Sequence, residues 1–165
     1  MSMLALTFWR PWPSIIQGPT GPNPERIPQK LLENRGWPLP AWAIGVDVAM
    51  HAGLTTDRES LAMMVRAGYL LPDTPQPTGV VGVFQFTACV PPLRVRQFCP
   101  PGQADWWWMG NLERPSGGDP HAWMMDRARS LATPVPCKGA QGFWRLPPEV
   151  EALVRAQLGE VAGGE

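Results

Sequence analysis

Proline and glycine are the residues that most constrain this chain. There are 21 prolines and 17 glycines among its 165 residues. Proline lacks a backbone N–H and clashes with the preceding turn inside a helix, and glycine costs about 1 kcal/mol there relative to alanine. Long uninterrupted helices are therefore excluded, and short strands joined by turns and long loops are favoured.

Length and charge narrow the class of protein further. The length predicts a single domain over residues 1–165 with one hydrophobic core. Fourteen basic residues balance fourteen acidic ones. A neutral balance argues against a broad basic face for duplex DNA, which needs many phosphate contacts, but it leaves a local basic cleft open.

The cysteines and the N-terminal segment indicate the cellular compartment in which the protein is expected. Cys89, Cys99 and Cys137 form no CxxC pair, so they predict neither a disulfide framework nor a zinc site. Isolated thiols fit a reducing, cytoplasmic location. The apolar start is broken by Arg10 and Pro11, so we expect neither a signal peptide nor a membrane span.

Hydrophobic patterning predicts a mostly β chain of the α+β class. Strands are expected at 4–9, 42–50, 80–90 and 142–146. Helices are expected near 13–17, 56–67 and 148–158, followed by a frayed tail at 161–165. Propensity alone also favours a helix over 120–131, since Ala, Met and Arg are helix formers.

Three ionisable residues stand close together in the segment QKLLENRGW. Lys30, Glu33 and Arg35 lie at offsets of 0, 3 and 5. In an extended strand the last two point to the same side, whereas the lysine joins them only if the chain bends. A solvated charged loop is the plain alternative, because exposed ion pairs are common and contribute little. The neighbouring Leu31, Leu32 and Trp37 favour a segment pinned to the core.

These residues resemble the signature G-x-K-x-x-E-x-R of the activating signal cointegrator homology (ASCH) domain. That family is related to the PUA-like β-barrels. Further segments match the family in the expected order: Trp9-Arg10-Pro11-Trp12, Ile15-Ile16, His51-Ala52, Thr78-Gly79-Val80-Val81-Gly82 and Pro134 to Trp144. One departure is that Gly18 stands twelve residues before Lys30 instead of two, so the loop 19–29 is an insertion beside the expected site.

The resemblance implies a small antiparallel PUA-like β-barrel with a core over about 4–146, flanked by a few short helices. It also implies a strand at Trp123-Met124-Met125, which opposes the helix that propensity favours at 120–131. We adopt the strand, because cross-strand packing routinely overrides propensity.

Two classes of function follow from this resemblance. The first is a module that binds RNA, another single-stranded nucleic acid or a nucleotide. Cations would meet phosphates, and tryptophans would stack on bases. The expected ligand-binding residues are Arg10, Trp12, Lys30, Glu33, Arg35, Trp37, His51 and Lys138.

The second class is a hydrolase acting on N4-acetylcytidine or another modified nucleoside, or a ribonuclease. Its catalytic residues would be Lys30 and Glu33. The amidohydrolase pattern has threonine at the position of Glu33 and an acid in a later strand, yet 80–90 contains no Asp or Glu. These departures favour the binding module. No cofactor and no metal are expected, and neither is a membrane partner.

Overall fold

The computed structural model describes residues 2–18, 29–91, 94, 97 and 121–159. These residues form six strands: β1 (Leu4–Arg10), β2 (Leu32–Arg35), β3 (Asp47–Thr56), β4 (Gly79–Val90), β5 (His121–Val135) and β6 (Phe143–Arg145). They also form a 3-10 turn (Ala41–Ala43) and three short helices: α1 (Trp12–Gln17), α2 (Arg58–Arg66) and α3 (Pro148–Gln157). The predicted mostly β, α+β class is confirmed.

The strands make one mixed sheet in the order β2-β5-β4-β3-β1-β6. β1 runs parallel to β3, and the other pairings are antiparallel. β2 and β6 are the two edges, so the sheet is open and the expected closed barrel is not confirmed. The physical reason is that within the described residues no hydrogen-bonded ladder joins the two edges.

Side chains nevertheless show that the sheet curls strongly. The Arg35 guanidinium of β2 lies 5.9 Å from the centroid of the Phe8 ring of β1. Three strands separate β2 from β1 in the sheet, which would put them nearly 20 Å apart if it were flat, at about 4.8 Å per strand. The Trp123 ring of β5 also stacks on Phe143 of β6, with centroids 5.7 Å apart. The curl therefore creates a concave face.

Each face of the sheet has its own core. The concave face buries Leu6, Phe8, Val48, Met50, Phe84, Phe86, Trp123 and Met125, with Ile16 of α1 packed against them. The opposite face buries Ala5, Ala49, Val80, Val83 and Leu131 under Val150 and Val154 of α3. Consecutive strand residues thus serve opposite cores, as strand alternation requires.

Two predicted elements differ from the structure. The strand expected at 42–50 begins only at Asp47, because the chain first makes a 3-10 turn and then passes Gly45 with φ of +76°. Residues 121–131 lie in β5, so the helix favoured by propensity is wrong and the strand at Trp123 is confirmed. Pairing with β4 on one side and β2 on the other outweighs propensity here.

The described helices do not include one long and apolar enough to cross a membrane. The expected frayed tail at 161–165 lies outside the described residues, as does most of the insertion at 19–29.

Candidate functional site

Lys30 is positioned where the chain passes from α1 to β2. Its backbone N–H donates to the Ile15 carbonyl of α1 at 3.2 Å. The chain bends there, and the ammonium nitrogen lies 5.3 Å from the centroid of the Trp12 ring. This bend brings Lys30 Nζ within 3.0 Å of Glu33 Oε2 despite their offset of three.

One carboxylate joins both cations. Glu33 accepts a hydrogen bond from Lys30 through Oε2, and its Oε1 lies 3.1 Å from Arg35 Nε. The Arg35 Nε–H has no aligned hydrogen-bond partner within the described part of the chain, so its contact with Glu33 is one of charge. We call these residues the Lys30–Glu33–Arg35 cluster. With all three ionised, the cluster carries one net positive charge.

The cluster is too buried to be a solvated charged loop. Lys30 is 2% exposed, and the side chains of Glu33 and Arg35 are 13% and 19% exposed. Burial lowers the pKa of Lys30, while the charge and hydrogen bond of Glu33 oppose this shift, and the Arg35 charge adds to the lowering. Glu33 therefore sustains the charge of a lysine whose surroundings disfavour it.

Arg35 lies among aromatic rings. The centre of its guanidinium is 5.9 Å from the Phe8 ring, 5.8 Å from Trp37 and 6.0 Å from Trp123. These distances allow cation–π attraction, which is strongest for tryptophan. Trp123 is fully buried, but Trp37 is 47% exposed. The arrangement holds a cation beside an indole face that solvent can reach.

Phe8 and Trp123 are members of this site that the sequence analysis did not single out. They lie in β1 and β5, far from Arg35 in the chain, and the curl of the sheet brings them together. The one sequence signal was the alternation of residues within each strand. It predicts which face of the sheet a side chain lies on, but not which residue of a distant strand it contacts.

His51 belongs to a separate group on the opposite face of the sheet. It pairs with Thr7, the neighbour of Phe8 in β1, so alternation turns both away from the concave core. His51 is 3% exposed, and its Nε2 lies 3.1 Å from the Cys137 carbonyl oxygen. Its ring meets Trp144 edge-on at 5.5 Å. Burial lowers the pKa of His51.

The two remaining predicted cations have other surroundings. Arg10 donates to the carbonyls of Leu54 at 2.5 Å and Gln76 at 3.0 Å. Lys138 is exposed and follows Cys137, which contacts His51. The structure thus brings together Trp12, Lys30, Glu33, Arg35 and Trp37, and it gives Arg10, His51 and Lys138 different partners or positions.

Stability is expected to fall as the pH drops from 7 to 5, because of His51. Its folded-state pKa is lowered by burial, so the unfolded chain binds the proton more tightly and acid favours unfolding. One such group contributes at most about 1.4 kcal/mol per pH unit. Urea unfolding at a series of pH values measures the slope.

The matched variants are His51→Gln and His121→Gln. The first should flatten this pH dependence and the second should retain it. An unchanged slope in His51→Gln would show that carboxylates, and not this imidazole, set the acid sensitivity.

Neither described cysteine is in a disulfide, and the described chain contains no cluster of three His, Cys, Asp or Glu residues placed to hold a metal ion. Cys99 lies outside the described residues.

Comparison with known proteins identifies the fold. No protein-family model and no curated protein sequence matches the chain. Two crystal structures of the ASCH protein from Zymomonas mobilis do match. A tyrosine-to-phenylalanine mutant has a TM-score of 0.53 at 12% identity, over 94% of this chain and 98% of that one. The other structure has a TM-score of 0.50 at 13% identity, over 96% and 94%.

The chain therefore has an ASCH-like fold, as the sequence resemblance implied. The fold places Lys30, Glu33 and Arg35 at the β2 edge of the concave face.

Proposed function

We propose that this chain binds single-stranded nucleic acid, or a nucleotide, at the Lys30–Glu33–Arg35 cluster. The ASCH-like fold is the one from which the sequence resemblance led us to expect such a module. The observation that carries the proposal is the Arg35 guanidinium, which is held by Glu33 and three aromatic rings while 19% of its side chain stays exposed.

Arg35 is the phosphate contact in this proposal. One of its terminal nitrogens donates to the Thr7 carbonyl at the long distance of 3.4 Å. A guanidinium has five N–H donors in one plane, so donors remain that match the oxygens of a phosphate. The net positive charge of the cluster favours an anion at this position.

Lys30 has a positioning role. At 2% exposure its ammonium lies below the surface, where it donates to Glu33 and to the Leu32 carbonyl. It thereby fixes the carboxylate that faces Arg35. Trp37, half-exposed beside Arg35, supplies a stacking face for the base next to the bound phosphate. Such stacking is worth about 1–3 kcal/mol per base.

Arg35→Ala is expected to lower the affinity for a labelled single-stranded octauridylate about tenfold, the loss of one charge-assisted phosphate contact. The slope of log affinity against log salt should fall by about 0.7, which is one phosphate on a single strand. Fluorescence anisotropy across a salt series measures both. Arg66→Ala removes an exposed cation at the end of α2 and is the matched control.

An Arg35→Ala affinity equal to that of Arg66→Ala would contradict the proposal. Absence of binding by the unaltered protein to RNA and DNA oligomers alike would do the same. Circular dichroism confirms that each variant is folded.

One observation favours a hydrolase as a second candidate function. Lys30 Nζ lies 3.0 Å from Glu33 Oε2, which pairs an amine with a carboxylate as general acid–base chemistry requires, and burial lowers the pKa of Lys30. Against it, β4 contains no carboxylate, although the amidohydrolase pattern requires a later acid. Turnover of N4-acetylcytidine or RNA that is lost in Lys30→Met without a change in affinity would favour the hydrolase over the binding module.

A further inference from the structure

A short segment between β2 and β3 presents two exposed tryptophans. Trp37 is 47% exposed and Trp42 is 57% exposed, whereas Leu39 between them is buried at 6%. The Leu39 N–H lies 3.2 Å from Cys89 Sγ of β4. Prolines at 38 and 40 restrict the backbone on both sides of this anchor. The two indoles are thus held outward on a stiff support.

A continuous series of rings joins the two tryptophans. Trp37 meets Trp123 edge-on at 5.8 Å, Trp123 stacks on Phe143 at 5.7 Å, and Phe143 meets Trp42 edge-on at 5.0 Å. We call these four residues the aromatic track. Trp123 is buried and Phe143 is half-buried. The two terminal indoles of the aromatic track are therefore exposed to solvent and pack against these two inner rings.

Cations accompany the track. Arg35 lies 5.8 Å from the Trp37 ring at one end. Arg145 is exposed in β6, two residues beyond Phe143, and alternation places it on the same side of that strand. Its described hydrogen bond goes to the Ser2 carbonyl, which occupies one of its five donors. Stacking faces flanked by cations suit an anionic strand of bases.

We propose that the two exposed indoles of the aromatic track bind two bases of one single strand, with Trp42 as a second stacking position beyond Trp37. The ligand is then an oligonucleotide and not a mononucleotide. The three ring-to-ring steps are spanned by no more than about five nucleotides, at ~3.4 Å per stacked nucleotide. This inference rests on the proposed function, since it places the first base and phosphate at Trp37 and Arg35.

Stacking on these indoles requires little ordering of the protein. Each indole already contacts a neighbouring ring edge-on, and Leu39 and the prolines fix the backbone between them. A surface that is ordered before binding loses less conformational entropy when the ligand arrives. Trp42 is therefore expected to contribute to affinity in the same range as other base-stacking aromatics.

The experiment is a competition assay with fluorescein-labelled octauridylate at low salt. Unlabelled tetrauridylate should compete much more strongly than uridine monophosphate. Trp42→Ala should lower the affinity for tetrauridylate about tenfold, within the range of about 1–3 kcal/mol for one stacked base. It should leave the affinity for the monophosphate unchanged. Trp42→Phe keeps an aromatic face and should retain most of the affinity.

Trp9→Ala is the matched control, because Trp9 is an equally exposed tryptophan at 59%, next to Phe8 on β1. It should bind both competitors as the unaltered protein does. Equal affinity for the monophosphate and the tetramer, with Trp42→Ala matching Trp9→Ala, would overturn the track while the proposed site at Arg35 stands. No binding of any length would overturn both.

A second copy of the chain is the competing occupant of this surface. Ile44 and Val46, which follow Trp42, are also exposed, at 42% and 38%. Sedimentation of the free protein tests this occupant. A concentration-dependent dimer that Trp42→Ala abolishes, and that oligouridylate does not dissociate, would overturn the nucleic-acid track.

Discussion

Replacing Glu33 by alanine is expected to lower the free energy of unfolding by about 3 kcal/mol, the lower end for breaking a buried ion pair. The substitution removes the carboxylate 3.0 Å from Lys30 Nζ and leaves an ammonium group whose side chain is 3% exposed. Burial then disfavours that charge without opposition from Glu33. Urea unfolding at pH 7, followed by tryptophan fluorescence, measures the loss.

The stability lost in Glu33→Ala should decrease as the pH rises. The folded-state pKa of Lys30 lies below its ordinary value, so folding releases a proton and alkaline pH favours the folded state of the variant. Lys30→Met leaves Glu33 beside Arg35, and combining it with Glu33→Ala should recover the part of the lost stability that is due to the buried ammonium group.

Arg129→Ala is the control for this prediction. Arg129 pairs with Asp47 at 2.6 Å, but its side chain is 40% exposed. An exposed pair of this kind contributes less than about 1 kcal/mol. If Glu33→Ala were no more harmful than Arg129→Ala, the Lys30–Glu33 pair would be a solvated surface pair after all.

Gly79→Ala is expected to lower the free energy of unfolding by about 3 kcal/mol or more, because backbone strain and overpacking act together at this position. Gly79 begins β4 with φ of +96°, a conformation that side chains oppose. An added Cβ would also lie 2.5 Å from the Val135 carbonyl oxygen and 3.1 Å from Pro136 Cα. Both are backbone atoms, so relief requires β4 and the end of β5 to separate.

Gly142→Ala separates these two causes. Gly142 also has positive φ, at +65°, but an added Cβ would meet nothing within 4 Å. Its cost should be only the backbone strain, about 1–2 kcal/mol. Thermal unfolding compares the variants, at roughly 2–4 °C per kcal/mol for a chain of this size. Equal melting temperatures would contradict the close approach at Gly79.

The sequence was sufficient for much of the strand content but not for every boundary. Val80 to Val90 is rich in β-branched and aromatic residues and lies in β4, as expected. The run at Trp42 also predicts a strand, yet the turn at Ala41–Ala43 and the positive φ of Gly45 delay the start of β3 to Asp47. Leu39, just before this turn, is buried in the core, and local patterning does not reveal such a long-range contact.

The candidate site, like the fold, could be predicted from the sequence only in part. The offsets of 3 and 5 predicted that Glu33 and Arg35 lie on the same side of a short strand. They also predicted that Lys30 joins these two residues only if the chain bends. The contacts of Arg35 with Phe8 and Trp123 depend on how far the sheet curls. Curl results from packing across the whole concave face, so no single segment of sequence encodes it.

The position of β1 in the sheet has a consequence for how the chain folds. β1 is the first of the described strands, yet it lies between β3 and β6, the last of them. Ser2 also bonds to Leu146 across a separation of 144 residues. During synthesis β1 can pair on one side once β3 has emerged, but its other side waits for Phe143–Arg145. Contacts of such high sequence separation slow folding, so completion of this edge is expected late in folding.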